Sequence, residues 1–330
     1  MTALLSLEGV SKRFTRTATA EERLLALFGR PMPPRTVHAV ADVSLAVNEG
    51  EVLGLVGESG CGKSTLGRIA AGLLAADAGR AMLAGTAVAE QARGRVIKRT
   101  TAVQMVFQDP FASLNPRMKV GDAIAEGPLA HGLWPEAERS ARVAKTLTDV
   151  GLDASYAARF PHQFSGGQRA RIGIARALAM NPRLVVADEA VAALDVSIQA
   201  QVLNTFLDLR ARLGLAWLFI SHDLGVVGHL ADRVAIMYLG RVVETGPAEA
   251  VFAAPAHPYT QGLLEAVPRL DRRRAGFHPV RGEIPSPLSP PSGCHFHPRC
   301  PHAVSRCREE APVTREIAPG RRIACHLDLL

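Results

Sequence analysis

At 330 residues, with 48% hydrophobic, 21% charged and 5% aromatic side chains, the chain has the composition of a globular protein with room for one large domain and an appendage. No apolar run approaches the ~18 residues a membrane-spanning helix requires, so no segment is expected to cross a bilayer. A net charge of +7 would suit an anionic partner, but arginine is scattered and the densest run, residues 272–274, is short, which argues against a nucleic-acid groove.

Glu8 interrupts the N-terminal apolar residues and no small-residue cleavage site follows, so no leader is expected and a cytoplasmic location is the default. Residues 4–10 alternate weakly and predict an edge strand. The polar segment 16–36, with Pro31, Pro33 and Pro34, reads as an inserted loop with a short helix over 21–28. Residues 37–45 and 52–56 are β-branched runs separated by the turn Asn48-Glu49-Gly50, and predict two strands feeding a glycine-rich loop. Helical periodicity covers 64–74 and returns over 136–150, where Ala137, Ala141, Ala144 and Leu147 mark one face.

A further helix has a defined start and stop. Ser165 and Gln168 have capping-box spacing, Ile172, Ala175, Leu178 and Ala179 follow at helical intervals, and Asn181-Pro182 ends the pattern. The apolar run 184–187 then ends in two acids, Asp188 and Glu189, as a buried parallel strand would. Helix 197–213 closes at Gly214, and the apolar run 217–220 ends in Ser221-His222-Asp223. Alternating strands and helices predict a parallel α/β sheet, whose ligands sit at the carboxyl ends of its strands, where Gly57, Asp188 and His222 fall. Beyond Gly246-Pro247 the composition changes, becoming proline-dense from residue 277 and holding four of the five cysteines from Cys294 onward. The expected division is a main domain over 1–246, with a helical part over about 109–180, and a loop-rich appendage over 247–330.

Gly57-Glu58-Ser59-Gly60-Cys61-Gly62-Lys63-Ser64-Thr65 matches the phosphate-binding P-loop pattern and lies between a predicted strand and a predicted helix, the context the pattern needs. Its glycines let backbone N–H groups turn toward phosphate oxygens, and the helix N-terminus adds favourable partial charge. Lys63 is expected to reach the β- and γ-phosphates of ATP and Ser64 to hold Mg2+, while Cys61 fills a variable position. Downstream, Asp188 is placed to bind Mg2+ and Glu189 to act as general base on the attacking water. In Phe164-Ser165-Gly166-Gly167-Gln168 two readings stand together: exposed N–H groups that bind a phosphate, or a capping box with no ligand.

These motifs, with Gln108 in VFQDP, the turn Ala193-Leu194-Asp195 and His222 in ISHD, stand in the order and approximate spacing of ABC ATPases, which the chain resembles. The segments GESGCGKSTLGR, FQDPFASLNPRMKVGD, FSGGQRARIGIARALA, LDVSIQAQVLN, ISHDLGVV and HPYTQGLLEAVP narrow the likeness to the F-type ATPase of oligopeptide/dipeptide importers, over nearly the whole chain. The resemblance implies the P-loop NTPase cassette, a mixed sheet core with a helical subdomain, coupling ATP hydrolysis to import of peptides or related small solutes. It also implies that Ser165, Gly166, Gly167 and Gln168 complete the ATP site of an opposite subunit, that Gln108 joins the Mg2+ and attacking-water region, that His222 contacts the γ-phosphate and that Phe14 stacks on adenine. Two transmembrane permeases, a second ABC ATPase of the D-type in preference to a homodimer, and indirectly an extracytoplasmic solute-binding protein are the implied partners, at the cytoplasmic face of the membrane. The competing class is a soluble ABC ATPase acting on nucleic acid or ribosomes, which typically carries two cassettes or a long coiled-coil insertion; neither is visible here.

Three positions depart from the family pattern: Ala190 stands where proline is usual, Ala192 where a serine opens the D-loop, and Ala170 where glutamine is usual. Glu189 and His222 are retained, which predicts a hydrolysing site. In the tail, Cys294, Cys300, Cys307 and Cys325 are separated by five, six and seventeen residues, a spacing that fits neither common zinc pairs nor the ferredoxin run. On spacing alone a metal site and four structural thiols both stand. The resemblance implies a [4Fe-4S] cluster, which some members carry on such cysteines, and His295, His297, His302 and His326 keep zinc open.

Overall fold

The computed structural model describes residues 3–16, 35–92, 94–109, 113–266 and 282–328. The expected short helix over 21–28 and the arginine run 272–274 lie outside the described residues. Among the described residues there are fourteen strands: β1 (Ala3–Thr15), β2 (Thr36–Asn48), β3 (Val52–Val56), β4 (Ala78–Leu83), β5 (Thr86–Ala87), β6 (Ala89–Ala92), β7 (Arg95–Lys98), β8 (Val103–Val106), β9 (Leu184–Asp188), β10 (Ala216–Ser221), β11 (Arg233–Tyr238), β12 (Arg241–Pro247), β13 (Arg315–Ala318) and β14 (Arg321–Ile323). The helices are α1 (Lys63–Ala70), α2 (Val120–Ala130), α3 (Arg139–Asp149), α4 (Gly166–Leu178), α5 (Val196–Leu213), α6 (Leu224–Leu230), α7 (Ala248–Ala253), α8 (Pro258–Glu265) and α9 (Ser305–Glu309).

The central sheet has the order β13-β14-β12-β11-β3-β10-β9-β8. Its middle is parallel: β3 pairs with β10 and β11, and β9 with β8 and β10. Strands buried on both faces need apolar residues at every position, and here successive residues feed opposite cores. Trp217 and Phe219 of β10 enter a core shared with α4, α5 and α6, whereas Leu218 and Ile220 enter a second core shared with α1, β1 and β2. Gly67 lets α1 lie close on this sheet, because a Cβ there would stand 2.5 Å from Ile220 Cδ1.

Several sequence expectations are corrected. The main sheet is mixed, as the family resemblance implied and not wholly parallel as the strand–helix alternation predicted, since β12, β13 and β14 join it antiparallel. β1 is no edge strand: it lies between β2 and β4 in a separate antiparallel sheet, with bulges that absorb its irregular pattern. The buried face of α3 carries Val143, Thr146 and Leu147, while Ala137 and Ala141 are exposed. The bulkier side chains won the inward face because each buries more apolar area than an alanine methyl. The short, polar strands β4 to β7 carried too little apolar alternation to be read.

The C-terminal segment is bonded into the main sheet. β14 pairs with β12, Glu244 facing Ile323, and the buried Arg321 guanidinium donates to Glu244 Oε1 at 2.8 Å and to the Ala254 carbonyl. Glu244, fully buried, also accepts the N–H groups of Ala256 and His257, each at 3.0 Å. His257 then caps α8, its Nδ1 accepting the Tyr259 N–H at 3.0 Å, which requires a neutral ring; burial pushes its pKa down to about 3.

Two outcomes follow. Glu244→Ala strands a buried guanidinium and two N–H groups, and is expected to cost about 3–5 kcal/mol in urea unfolding, with Glu244→Met/Arg321→Met costing much less. Because His257 titrates lower folded than unfolded, its contribution is whole above about pH 6.5 and lost as pH falls toward 3. His257→Asn, which still caps the Tyr259 N–H, should flatten that part of a stability-against-pH profile.

Candidate nucleotide site

The register of β3, β10 and β9 brings the predicted residues to one edge. Val56 lies opposite Ser221, and Ile220 opposite Asp188, so the phosphate loop, the acid pair and His222 leave neighbouring strands at one level. Between β3 and α1 the chain turns through Gly60 at φ 79° and Gly62 at φ 108°, a region open to glycine. At Gly62 a Cβ would also stand 2.1 Å from the Ala39 carbonyl oxygen, so the loop is folded tightly against β2.

Lys63, only 4% exposed, donates to the Gly57 carbonyl at 2.7 Å and the Glu58 carbonyl at 3.0 Å, bridging the loop it follows. Cys61 Sγ lies 4.0 Å from Lys63 Nζ, and burial pushes its pKa up, so it packs as a neutral thiol. Ser59 and Gly60 at the loop's tip are exposed. Ser64 Oγ donates to Asp188 Oδ1 at 2.8 Å, tying the start of α1 to the end of β9. Burial raises the Asp188 pKa; the hydroxyl of Ser64 opposes this, the charge of Glu189 adds to it, and Arg68 and Lys63 work against it.

Glu189 follows at φ 48°, a left-handed conformation that costs a non-glycine residue energy and persists where its surroundings impose it. Its N–H donates to the Ile220 carbonyl at 3.0 Å. Gln108 Nε2 donates to Glu189 Oε2 at 2.8 Å, and His222 Nδ1 lies 3.3 Å from Oε1, so each carboxylate oxygen has a side chain against it. An acid pair ending a strand would otherwise face solvent; here Asp188 is buried and Glu189 nearly so. Ser64, Asp188 and Gln108 present hard oxygen donors of the kind Mg2+ takes, so the residues fit that ion.

Not every candidate joins this group. Ser165 Oγ accepts the Gln168 N–H at 3.3 Å and Gln168 Oε1 accepts the Ser165 N–H at 3.0 Å, the reciprocal capping box. Gly166 and Gly167 face Leu194 and Ile198; a Cβ on Gly167 would stand 2.3 Å from Ile198 Cγ2. Phe14 lies on β1, 42% exposed, with Lys12 Nζ 5.7 Å from its ring centroid, so its ring is not part of the core. Ala170 and Ala190, two of the positions departing from the family pattern, both line one cleft of about 650 Å³.

The tail cysteines do not fit the expected cluster. Among the described residues no group of three or more His, Cys, Asp or Glu is placed to hold a metal. Cys294 and Cys300 pack at the edge of the main core that contains Phe296 and Cys307 is buried, whereas Cys325 clusters with Ala256 and Ile323 and accepts the Leu327 N–H. Three of the four neighbouring histidines bond a backbone carbonyl through one ring nitrogen: His295 that of Leu239, His297 that of Cys294 and His326 that of Glu310, each at 2.9 Å. Burial raises the pKa of Cys294 to about 11 and pushes up those of Cys300 and Cys325, and the charge of the neighbouring tail thiols adds to each rise.

Two contacts at Glu58 escape a reading of the sequence. Its N–H donates to the Tyr259 hydroxyl at 2.9 Å, and its carboxylate pairs with Arg299. The partners are 201 and 241 residues away along the chain, and no local spacing signals them.

Comparison with known proteins agrees with this geometry. The ABC transporter family model matches residues 40–192, and a model of the oligopeptide/dipeptide transporter C-terminal region matches residues 243–307. A probable peptide ABC transporter ATP-binding protein of Sinorhizobium fredii is 48% identical over 98% of this chain and 90% of its own length. The oligopeptide transport ATP-binding protein AppF of Bacillus subtilis is 49% identical over 88% of this chain and 90% of its own. Among solved structures, cbiO1 of Clostridium perfringens, part of the ABC transporter complex cbiONQ, aligns with a TM-score of 0.61 at 25% identity, covering 76% of this chain and 91% of that one. Among the described residues no helix is long and apolar enough to cross a membrane. With the cassette fold, a phosphate loop bonded to a strand-end acid pair, and close relatives aligned over most of their length, the chain belongs to the ATP-binding subunits of ABC transporters, in the oligopeptide/dipeptide branch.

Proposed function

We propose that this chain is the ATP-hydrolysing subunit of an importer for oligopeptides, dipeptides or related small solutes. The observation that carries the reading is the arrangement around Glu189, a strained residue whose two carboxylate oxygens face Gln108 and His222 one residue beyond the Ser64–Asp188 bond. The peptide substrate class comes from the named relatives and from the C-terminal family match.

In this reading residues 57–65 wrap the phosphates of ATP, and Lys63 exchanges its contacts with the Gly57 and Glu58 carbonyls for the β- and γ-phosphates. Ser64, Asp188 and Gln108 would hold Mg2+, which there supplies neutralisation of phosphate charge. Glu189 takes a proton from water as the water oxygen bonds to the γ-phosphorus and the bond to the bridging oxygen breaks, releasing ADP and phosphate. His222 steadies the γ-phosphate and Phe14 offers its exposed ring to adenine. Ser165 to Gln168 serve the nucleotide of a second cassette, a D-type partner in preference to a second copy of this chain. The proposed domain division remains 1–246 and 247–330, with a helical part over about 109–180.

The same reading assigns two permeases as membrane partners, approached from the cytoplasmic face and fed by an extracytoplasmic solute-binding protein. The cleft of about 650 Å³ that Phe107, Glu126, His131, Arg176 and Ala190 line supports a docking place for a permease segment, since Phe107 and Ala190 adjoin Gln108 and Glu189. No cluster chemistry enters this cycle.

Glu189→Gln is expected to lower ATP turnover by about 10²- to 10⁴-fold while ATP binding persists and ATP-bound cassette dimers accumulate. Unchanged turnover would refute the assignment of the base. Asp188→Asn keeps an acceptor for Ser64 and removes a buried charge. Since burial raises the Asp188 pKa, its ionised form opposes folding, so the variant should unfold at a higher temperature near neutral pH, with the gain shrinking as pH falls and Asp188 itself protonates. Its Mg2+-dependent turnover should nevertheless fall by at least about 100-fold.

A further inference from the structure

Residue 58 of the phosphate loop is held from three sides, two of them by the C-terminal part of the chain. Its carbonyl accepts from Lys63 Nζ at 3.0 Å and its N–H donates to the Tyr259 hydroxyl at 2.9 Å. Its carboxylate meets Arg299 as a two-pronged pair, Nη1 to Oε2 at 2.8 Å and Nη2 to Oε1 at 3.0 Å. This planar fork is the strongest geometry a carboxylate and a guanidinium adopt. The Arg299 side chain is 4% exposed, so the pair is shielded from the screening that weakens surface ion pairs.

Both partners are themselves fixed. Tyr259, on α8, packs its ring 4.6 Å from Tyr238 and 5.4 Å from Phe296, centroid to centroid. Phe296 opens the short turn His297–Arg299 that delivers Arg299, whose guanidinium lies 5.7 Å from the centre of the Tyr238 ring. The aromatic trio therefore sets hydroxyl and guanidinium together against the second residue of the loop.

We infer that Tyr259 and Arg299 are positioning residues for nucleotide binding: they pin the entry of the phosphate loop, and Arg299 cancels a carboxylate that would otherwise stand against a triphosphate. The inference rests on the reading of residues 57–65 as the phosphate cradle. An acid within a loop that wraps a polyanion is unfavourable by Coulomb's law unless a cation answers it, and a loop already held in shape spends less of its binding free energy on ordering. The C-terminal region, through Tyr259 and Arg299 at 12 and 52 residues past the end of β12, thereby becomes a structural part of the site without touching the nucleotide.

The test is binding of Mg2+ with N-methylanthraniloyl-ATP and with the ADP analogue to the full-length chain. Arg299→Met should raise the Kd for the ATP analogue about tenfold, less for the ADP analogue, with the penalty shrinking as salt rises. Glu58→Gln/Arg299→Met should recover affinity to within about threefold of wild type, because the unanswered charge is gone; a purely structural staple would leave the double variant as weak as the single. Tyr259→Phe keeps the ring and removes only the acceptor of the Glu58 N–H, so it reports even if Arg299→Met does not fold, and its Kd should rise about threefold. Wild-type affinity in Tyr259→Phe, beside an Arg299→Met that is unfolded, binds normally or is not rescued, overturns the inference. Lys63→Ala separates the two levels: if it binds ATP normally, the cradle reading itself fails, and if it loses binding while the other variants keep theirs, only the positioning role fails.

Discussion

The hydrogen bond from Ser64 to Asp188 is the contact on which the site's geometry depends. It joins the first turn of α1 to the last residue of β9 across the intervening β10, and holds only because β3, β10 and β9 are parallel and in register. A register slip of one residue would turn Asp188 to the other face and bury a different side chain in each core. The alternation of Trp217 and Phe219 with Leu218 and Ile220 between two cores forbids that slip. Packing far below the catalytic edge thus fixes the height at which the phosphate loop, the acid pair and His222 emerge.

What could be read from the sequence was what local physics decides. The phosphate loop demands glycine where φ is positive, and Gly60 and Gly62 adopt such angles. The capping box at Ser165 and Gln168 needs only residues three apart, and both of its hydrogen bonds are made. The strand Leu184–Asp188 is apolar up to Asp188 and buried throughout. What escaped was decided at a distance. The place of β1 between β2 and β4 is a matter of pairing, which a weak alternation does not encode. The face of α3 was set by Val143 and Leu147 against their neighbours, where alanine spacing pointed elsewhere.

The cluster that the family resemblance implied for the tail cysteines finds no support in the structure. The four thiols lie near enough to feel one another's charge, yet among the described residues they form no group placed to hold a metal, and Cys325 packs with Ala256 and Ile323. Glycine at 293, with φ 64° and its position tight against the Cys307 carbonyl, shapes that segment for packing, and the Cys294 N–H donates to the Cys307 carbonyl at 2.8 Å. The backbone, more than the thiols, organises this region. Its outlet toward the rest of the molecule is Arg299.

The Glu189 conformation joins these threads. A left-handed backbone at a non-glycine residue is a local cost, offset here by the N–H bond to Ile220 and by Gln108 holding the carboxylate. The reversal it imposes sends the next side chain, Ala190, away from the site into the cleft shared with Phe107, while Glu189 and Gln108 face inward. One peptide bond therefore separates the proposed base from the proposed docking wall on one segment, and another separates Gln108 from that wall on its neighbour. A displacement of one of these segments against the other would therefore bear directly on the Gln108–Glu189 bond, which spans them. In the proposed reading this hydrogen bond is a short link between the docking wall and the base, with no long relay between them.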